Sequence, residues 1–195
     1  MTIDWTLRGV DIPLADVSNL STLPQNQIAR MVLDGVLGPV QPSTNPAKVP
    51  LLHIGALLAL LDAQKRGINE QRAREALPLI SGGVYVQLVL AEHALGHLQA
   101  GRGSPGGTHQ LFHRLKTEEG SSLVERTLPF RVETKRFVCF SEKRVILSDS
   151  LGELDSLQFE APYAVVDTKD VAARIKKFLR GPFFIAEVRS MAAAA

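Results

Sequence analysis

The sequence predicts an α+β fold in which helices come first and strands follow. Up to about residue 100, apolar side chains recur at the spacing of amphipathic helices. From Leu123 onward the pattern changes to short runs rich in Val, Phe and Leu, which favour strands. Between the two parts, Gly101–Gly107 reads Gly-Arg-Gly-Ser-Pro-Gly-Gly and predicts a flexible linker. We therefore expect a helical domain over residues 11–80, a long linking helix with its glycine-rich linker over 83–117, and a small mixed α/β domain over 123–190.

The composition is that of a globular protein. The chain has 195 residues, 45% of them hydrophobic, and 22 basic against 20 acidic side chains. One cysteine, Cys139, leaves no partner for an intrachain disulfide. The near-neutral charge counts against a large electrostatic footprint on nucleic acid. Because no apolar stretch reaches the roughly 20 residues that cross a bilayer, and no secretory pattern opens the chain, we expect a cytoplasmic protein without a membrane partner.

The first ten residues predict a tail or a short strand, and two short helices follow. Pro13–Leu20 carries apolar residues at three-residue spacing, with proline at the favourable first position. The second helix is expected from Pro24 to about Leu33, capped by Ser21 or Thr22. A glycine at position 35 then ends it.

A proline-rich segment separates these helices from two more. Residues 38–50 contain four prolines, which exclude a helix and predict a loop or small wing. Leu51–Arg66 has the apolar spacing of a helix. Asn69 is expected to cap another helix that runs to about Leu77, and Pro78 and Gly82-Gly83 to end it.

The rest of the chain predicts one long helix and then a mixed domain. The long helix is expected over Val84–Ala100. The strands are expected at Glu125–Glu133, Arg136–Ser141, Val145–Ser148, Leu157–Val166 and Phe183–Val188. Before the last strand, Asp167 is placed to cap a helix whose first turn also contains Asp170.

Two short helices joined by a tight turn, a wing and two further helices make the plan of a winged helix-turn-helix domain. Within it, Gln27–Pro39 resembles the second helix and exit of MerR-type DNA-binding domains. Its last five residues, Gly-Val-Leu-Gly-Pro, are similar to the Gly-Leu-Leu/Ile-x-Pro segment that ends the family's recognition helix. Leu51–Arg66 and the following Gly-Ile-Asn resemble the helices after the wing. The resemblance covers about residues 11–78.

The chain departs from this family at three points. No aromatic residue stands beside Arg30, where the family has an Arg-Tyr or similar pair. The wing offers Lys48 as its one charge. The C-terminal part does not have the pattern of a long antiparallel coiled coil with metal-binding cysteines, so metal-thiolate sensing is not implied.

The resemblance implies a DNA-binding surface on the second helix and the wing. Recognition helices read bases with their first turns, where Asn and Gln pair with adenine and Arg with guanine. The predicted base-reading residues are Gln25, Asn26, Gln27 and Arg30. The predicted wing contacts to phosphate are Ser43, Thr44 and Lys48. Taken without the surrounding helices, Gln25–Gln27 is equally the solvated first turn of a surface helix.

The expected function is therefore that of a sequence-specific transcriptional regulator, with DNA as its partner. A homodimer is expected because one short recognition helix reads few base pairs and pairing doubles the site. The C-terminal domain would supply dimer contacts, an effector pocket or a partner surface. The alternative from another class is a protein–protein adaptor or antitoxin-like module whose N-terminal helices bind a protein partner.

Four histidines form two His-x-x-x-His pairs that could offer imidazoles to a metal ion. They are His93, His97, His109 and His113. A metal-dependent enzyme built on them is a further alternative, but no cysteine accompanies them and the glycine-rich segment lies between the pairs. The simpler interpretation is surface histidines on two helices. We expect no bound metal, no cofactor and no enzymatic activity.

Overall fold

Helices and strands are mixed along the chain, which confirms the predicted α+β class. The structure, a computed structural model, describes residues 2–38, 47–94, 99–100, 123, 135–141, 144–156 and 163–192. The described helices are α1 (Leu14–Ser21), α2 (Gln25–Leu33), α3 (Leu51–Lys65), α4 (Glu70–Ala94), α5 (Leu151–Asp155) and α6 (Thr168–Phe178). The described strands are β1 (Thr2–Gly9), β2 (Asp11–Pro13), β3 (Lys48–Pro50), β4 (Gln99–Ala100), β5 (Phe137–Ser141), β6 (Val145–Ser148), β7 (Tyr163–Asp167) and β8 (Phe184–Ala192).

The chain divides into two units, each built from segments that are distant in sequence. The central unit comprises residues 11–87 and 132–179, and the terminal unit comprises residues 1–10, 88–131 and 180–195. The sequence predicts separate domains at 11–80 and 123–190, whereas most of both segments falls within the central unit.

Helix α3 is the core of the central unit. Every residue from His53 to Leu60 is buried, as expected for a helix that is apolar on all sides. Helices α1 and α6 and strand β3 pack against it. On the α6 side, Nη1 of Arg174 donates a hydrogen bond to Oδ2 of Asp62, at 2.7 Å. The helix predicted over Leu51–Arg66 is confirmed.

Helix α4 runs unbroken from Glu70 to Ala94, so the predicted end at Pro78 and Gly82-Gly83 is wrong. Pro78 lies on the exposed side, where a missing backbone hydrogen bond costs less. Gly83 is required by packing, because a Cβ atom there would lie 2.8 Å from Cγ2 of the buried Thr168. The long helix predicted over Val84–Ala100 is also wrong at both ends, since α4 starts earlier and Gln99–Ala100 forms strand β4.

A three-stranded antiparallel sheet, in the order β6-β5-β7, completes the central unit. Strand β5 lies in the middle and is buried along its whole length. On one face, Phe137 and Cys139 pack with Leu154 of α5. The strand predictions hold for β5 and β6, and for the part of Leu157–Val166 that the structure describes as β7. Cys139 is buried, and burial raises the pKa of its thiol.

Asp167 caps α6, as predicted. Its side chain accepts hydrogen bonds from the backbone N–H groups of Lys169 at 2.9 Å and Asp170 at 3.4 Å. The same carboxylate accepts three hydrogen bonds from Arg136, two from Nε and one from Nη2, the last at 2.6 Å to Oδ2. Burial opposes ionisation, but these hydrogen bonds outweigh it and lower the pKa of Asp167. Asp167 therefore ties the start of α6 to the start of β5.

The terminal unit contains a three-stranded sheet in the order β1-β8-β4. Strand β1 pairs antiparallel with β8, from Gly9 opposite Phe184 to Thr2 opposite Ala192, and β4 pairs parallel with β8. Of the predicted tail or short strand at the start of the chain, Thr2–Gly9 forms a strand, and the last predicted strand is confirmed and longer than expected. Trp5, Leu7 and Phe184 are buried in this unit.

The remaining predictions fall on residues outside those described. They are the linker at Gly101–Gly107 and the strand at Glu125–Glu133. Within the described part of the chain, no helix combines the length and the hydropathy that spanning a bilayer demands.

Candidate nucleic-acid interface

A three-residue turn joins α1 to α2. Thr22 ends α1 in the left-handed conformation, with φ of 61°, and its N–H donates to the carbonyl of Ser18 at 2.9 Å. Helix α2 then starts at Gln25, with Pro24 before it and no side chain capping it. The predicted cap at Ser21 or Thr22 is wrong, because these residues end α1 instead. The turn is tight enough that α1 packs directly on α2.

Helix α2 buries one face and exposes the other. Ile28 and Val32 are buried, at 0% and 3% exposure. The predicted base-reading residues Gln25, Asn26, Gln27 and Arg30 are all exposed. Asn26 folds locally, since its Oδ1 accepts a hydrogen bond from the N–H of Gln27 at 2.9 Å.

Two exposed residues at the end of α2 are not among the predicted contact residues. Leu33, the last residue of the helix, is 56% exposed. Asp34 follows it, and its Oδ2 lies 3.5 Å from Nε of Arg30 in an ion pair between two exposed side chains. Helical periodicity alone predicts that Leu33 is exposed, because position 33 falls well away from the buried stripe of Ile28 and Val32.

The exit of α2 is closed by a Schellman motif. Gly35 has φ of 68°, its N–H donates to the carbonyl of Val32 at 3.2 Å, and the N–H of Val36 donates to the carbonyl of Met31 at 3.0 Å. Gly35 therefore ends the helix as predicted. The chain continues through the buried Leu37 to Gly38, the last described residue before a gap that ends at Ala47.

A short antiparallel ribbon flanks the two helices. Strand β2 precedes α1 and pairs with β3, with Ile12 opposite Val49 and Pro13 opposite Lys48. Lys48 is exposed at this edge. The predicted phosphate contacts Ser43 and Thr44 lie outside the described residues.

His53 sits directly behind the exit of α2, and sequence reasoning missed it. It is 4% exposed, in the first turns of α3. A Cβ atom on Gly38, whose φ is 148°, would lie 2.9 Å from its Nε2. Among the described residues, no hydrogen-bond partner reaches its buried Nδ1. Burial lowers the pKa of His53, and the charge of Asp11 on β2 opposes that effect.

Charge is sparse around this surface. Between residues 11 and 50 the chain has two cations, Arg30 and Lys48. Against them stand three carboxylates, Asp11, Asp16 and Asp34, and all five side chains are exposed. The surface can therefore form specific hydrogen bonds, but it holds little electrostatic attraction for a polyanion.

The histidine pairs gain no support as a metal site. His93 is half-buried near the end of α4, and His97, His109 and His113 lie outside the described residues. In the described ranges, no three His, Cys, Asp or Glu side chains come together in an arrangement that could hold a metal ion.

No family model, curated protein or solved structure matches this chain.

Proposed function

We propose that the central unit carries a MerR-like winged helix-turn-helix and that the protein is a sequence-specific DNA-binding transcriptional regulator. In this assignment α2 is the recognition helix, and the proline-rich segment of residues 38–50 is the wing. The protein acts as a homodimer, because a nine-residue helix reads few base pairs alone. The C-terminal segments of the chain supply dimer contacts or a surface for an effector or partner.

The exposed face of α2 is the observation that carries this proposal. Ile28 and Val32 anchor the helix from behind, so its polar side is held outward as a rigid element. The residues on that side are of the types that pair with base edges in the major groove. A surface helix without such a role needs no particular amide or guanidinium groups at these positions.

The order of elements supports the same assignment. Strand β2, the helix pair, strand β3 and the buried α3 follow one another along the chain, and β2 pairs antiparallel with β3. That is the plan that the MerR-type resemblance implies. The left-handed Gly35 and the Schellman motif explain why the Gly-Val-Leu-Gly-Pro exit has its glycine there.

The test is selection from a random duplex pool with the full chain, followed by anisotropy titration of the enriched sequence. Arg30→Ala should weaken binding by about tenfold, since a bidentate base contact is worth roughly 1–3 kcal/mol. Arg74→Ala is the matched control, because Arg74 is also exposed and pairs with an acid four residues away, Glu70 on α4. Equal loss in both variants would contradict the assignment of α2.

Salt dependence gives an independent check. Each neutralised phosphate contributes a slope of about −0.9 to the plot of log affinity against log salt. Lys48 is the one cation of the helix pair and ribbon that is assigned to phosphate, because Arg30 is assigned to a base, so the expected slope is about −1 for each bound copy. A much steeper slope would mean that DNA binds through another surface of the chain.

The excess of carboxylates over cations on this surface favours a second candidate, a protein–protein adaptor or antitoxin-like module. Such a module would use the same exposed face of α2 on a protein partner. Failure of the pool to yield any enriched sequence would move the assignment to this candidate.

A further inference from the structure

Leu33 is an apolar side chain on the otherwise polar outward face of α2. It is 56% exposed, while the other apolar residues of α2 face inward or are half-buried. Surface leucines need no explanation when they stand alone. Leu33 lies beside the residues that are assigned above to base recognition, so its neighbours indicate that it would contact a base.

Asn26, Arg30 and Leu33 form a single stripe along α2. At 100° per residue, their side chains fall within about 60° of one another, on the side of the helix that faces away from Ile28 and Val32. Their spacing of four and then three residues is the spacing by which recognition helices that lie along the major groove reach successive bases.

We propose that Leu33 reads the C5-methyl group of a thymine in the DNA site. This inference rests on the proposed function and names the base that the end of α2 selects. The thymine would lie about two base pairs from the base that Asn26 meets, with the base that Arg30 meets between them. In the major groove, the thymine methyl is the apolar group that distinguishes one base from the others, and an apolar side chain is its natural partner.

Leu33 is too isolated to dock a protein. A stable protein–protein interface buries about 800 Å² on each partner, with an apolar centre. On the same side of α2 the neighbours of Leu33 are Arg30 and Asp34, which are charged and paired with each other at 3.5 Å. One leucine surrounded by charged side chains is better matched by a single methyl group flanked by the polar edges of bases than by the apolar centre of a protein interface.

The experiment removes only the methyl group from the DNA. In the selected duplex, each thymine is replaced in turn by deoxyuridine, which keeps base pairing and hydrogen-bonding groups. With the natural chain, one replacement per half-site should weaken binding by about fourfold, the value of one buried methyl group. In Leu33→Ala the same replacement should have no effect, while Arg30→Ala should keep the full fourfold difference.

Leu151→Ala is the matched control, since Leu151 on α5 is 51% exposed and lies in the same unit. It should leave both affinity and methyl dependence unchanged. Tight binding with no thymine methyl effect at any position would overturn the inference and leave the DNA-binding function intact. An absence of any DNA binding would overturn both.

Discussion

Helices α2 and α6 are both short, amphipathic and part of the central unit, yet their polar residues are used differently. At the start of α6, Asp167 accepts backbone hydrogen bonds and pairs with Arg136. Farther along, Arg174 donates to Asp62 on α3. At the start of α2 there is no side-chain cap, and its polar residues point into solvent. Polar groups at the start of α6 therefore stabilise the fold, whereas those of α2 contribute little to it and are available to a partner.

The largest expected effect is on the α6 side. Asp167→Ala removes a helix cap worth about 1 kcal/mol and a charge-assisted hydrogen bond worth about 2 kcal/mol. The free energy of unfolding, measured by urea titration, should fall by about 3 kcal/mol. Asp170→Ala, an exposed acid in the same first turn, should cost no more than about 0.5 kcal/mol. Similar values for the two variants would show that Asp167 does not hold α6 in place.

The counterpart on α2 should separate binding from stability. Asn26→Ala removes an exposed amide, so the free energy of unfolding should stay within about 0.5 kcal/mol of the natural chain. Its affinity for the selected DNA should fall by about tenfold. Gln71→Ala, an exposed amide in the first turn of α4, should change neither quantity. If Asn26→Ala lowered the free energy of unfolding instead, the polar residues of α2 would stabilise the fold as those at the start of α6 do.

A smaller effect is expected from the ion pair on α2. Asp34→Asn frees Arg30 from its partner at 3.5 Å and removes a carboxylate that repels phosphate. The affinity for DNA should rise by about threefold, because exposed pairs are worth less than about 1 kcal/mol. Glu70→Gln frees Arg74 in the same way on α4 and should leave DNA affinity unchanged. Reduced affinity in Asp34→Asn would mean that the carboxylate itself contacts the partner.

Local pattern was enough to predict most elements of the central unit. The boundaries of α3 and β6, the cap at Asp167 and the end of α2 at Gly35 follow from spacing and from single residues with strong conformational preferences. The failures have a different cause. The Gly82-Gly83 pair is typical of a helix end, but in the structure Gly83 lets α4 approach Thr168. No local pattern predicts a contact between residues so far apart in sequence.

The residues of the candidate site could likewise be predicted only where a local pattern identifies them. Exposure of Gln25, Asn26 and Arg30 follows from the helical period alone. Helical periodicity also places Leu33 outside the buried stripe, but the predicted contacts on α2 include polar and charged side chains only. His53 gave no signal, because one histidine among leucines and alanines is ordinary in a buried helix. Its position against Gly38 depends on how the exit of α2 folds back on α3.

Lowering the pH should reduce the free energy of unfolding through His53 before it affects the cap at Asp167. At neutral pH the titration of neither group should change the stability. The pKa of His53 is lowered from its ordinary 6.5 by burial, so the folded state binds fewer protons than the unfolded state below that pH. Stability should be unaffected above pH 6.5 and should fall as the pH decreases through the folded pKa. The pKa of Asp167 is lowered from 3.8, so its contribution is lost only in stronger acid. Mild acid should therefore weaken the region behind α2 while the cap of α6 holds.

Urea titrations between pH 7 and about pH 5 measure this linkage. His53→Leu removes the titrating ring and a buried nitrogen that has no described hydrogen-bond partner, so at pH 7 the variant should be about as stable as the natural chain. Its free energy of unfolding should then stay nearly flat down to about pH 5. Parallel losses in both chains would assign the acid sensitivity to another group. A flat profile in the variant alone would identify His53, held against Gly38, as the group whose protonation lowers the free energy of unfolding in mild acid.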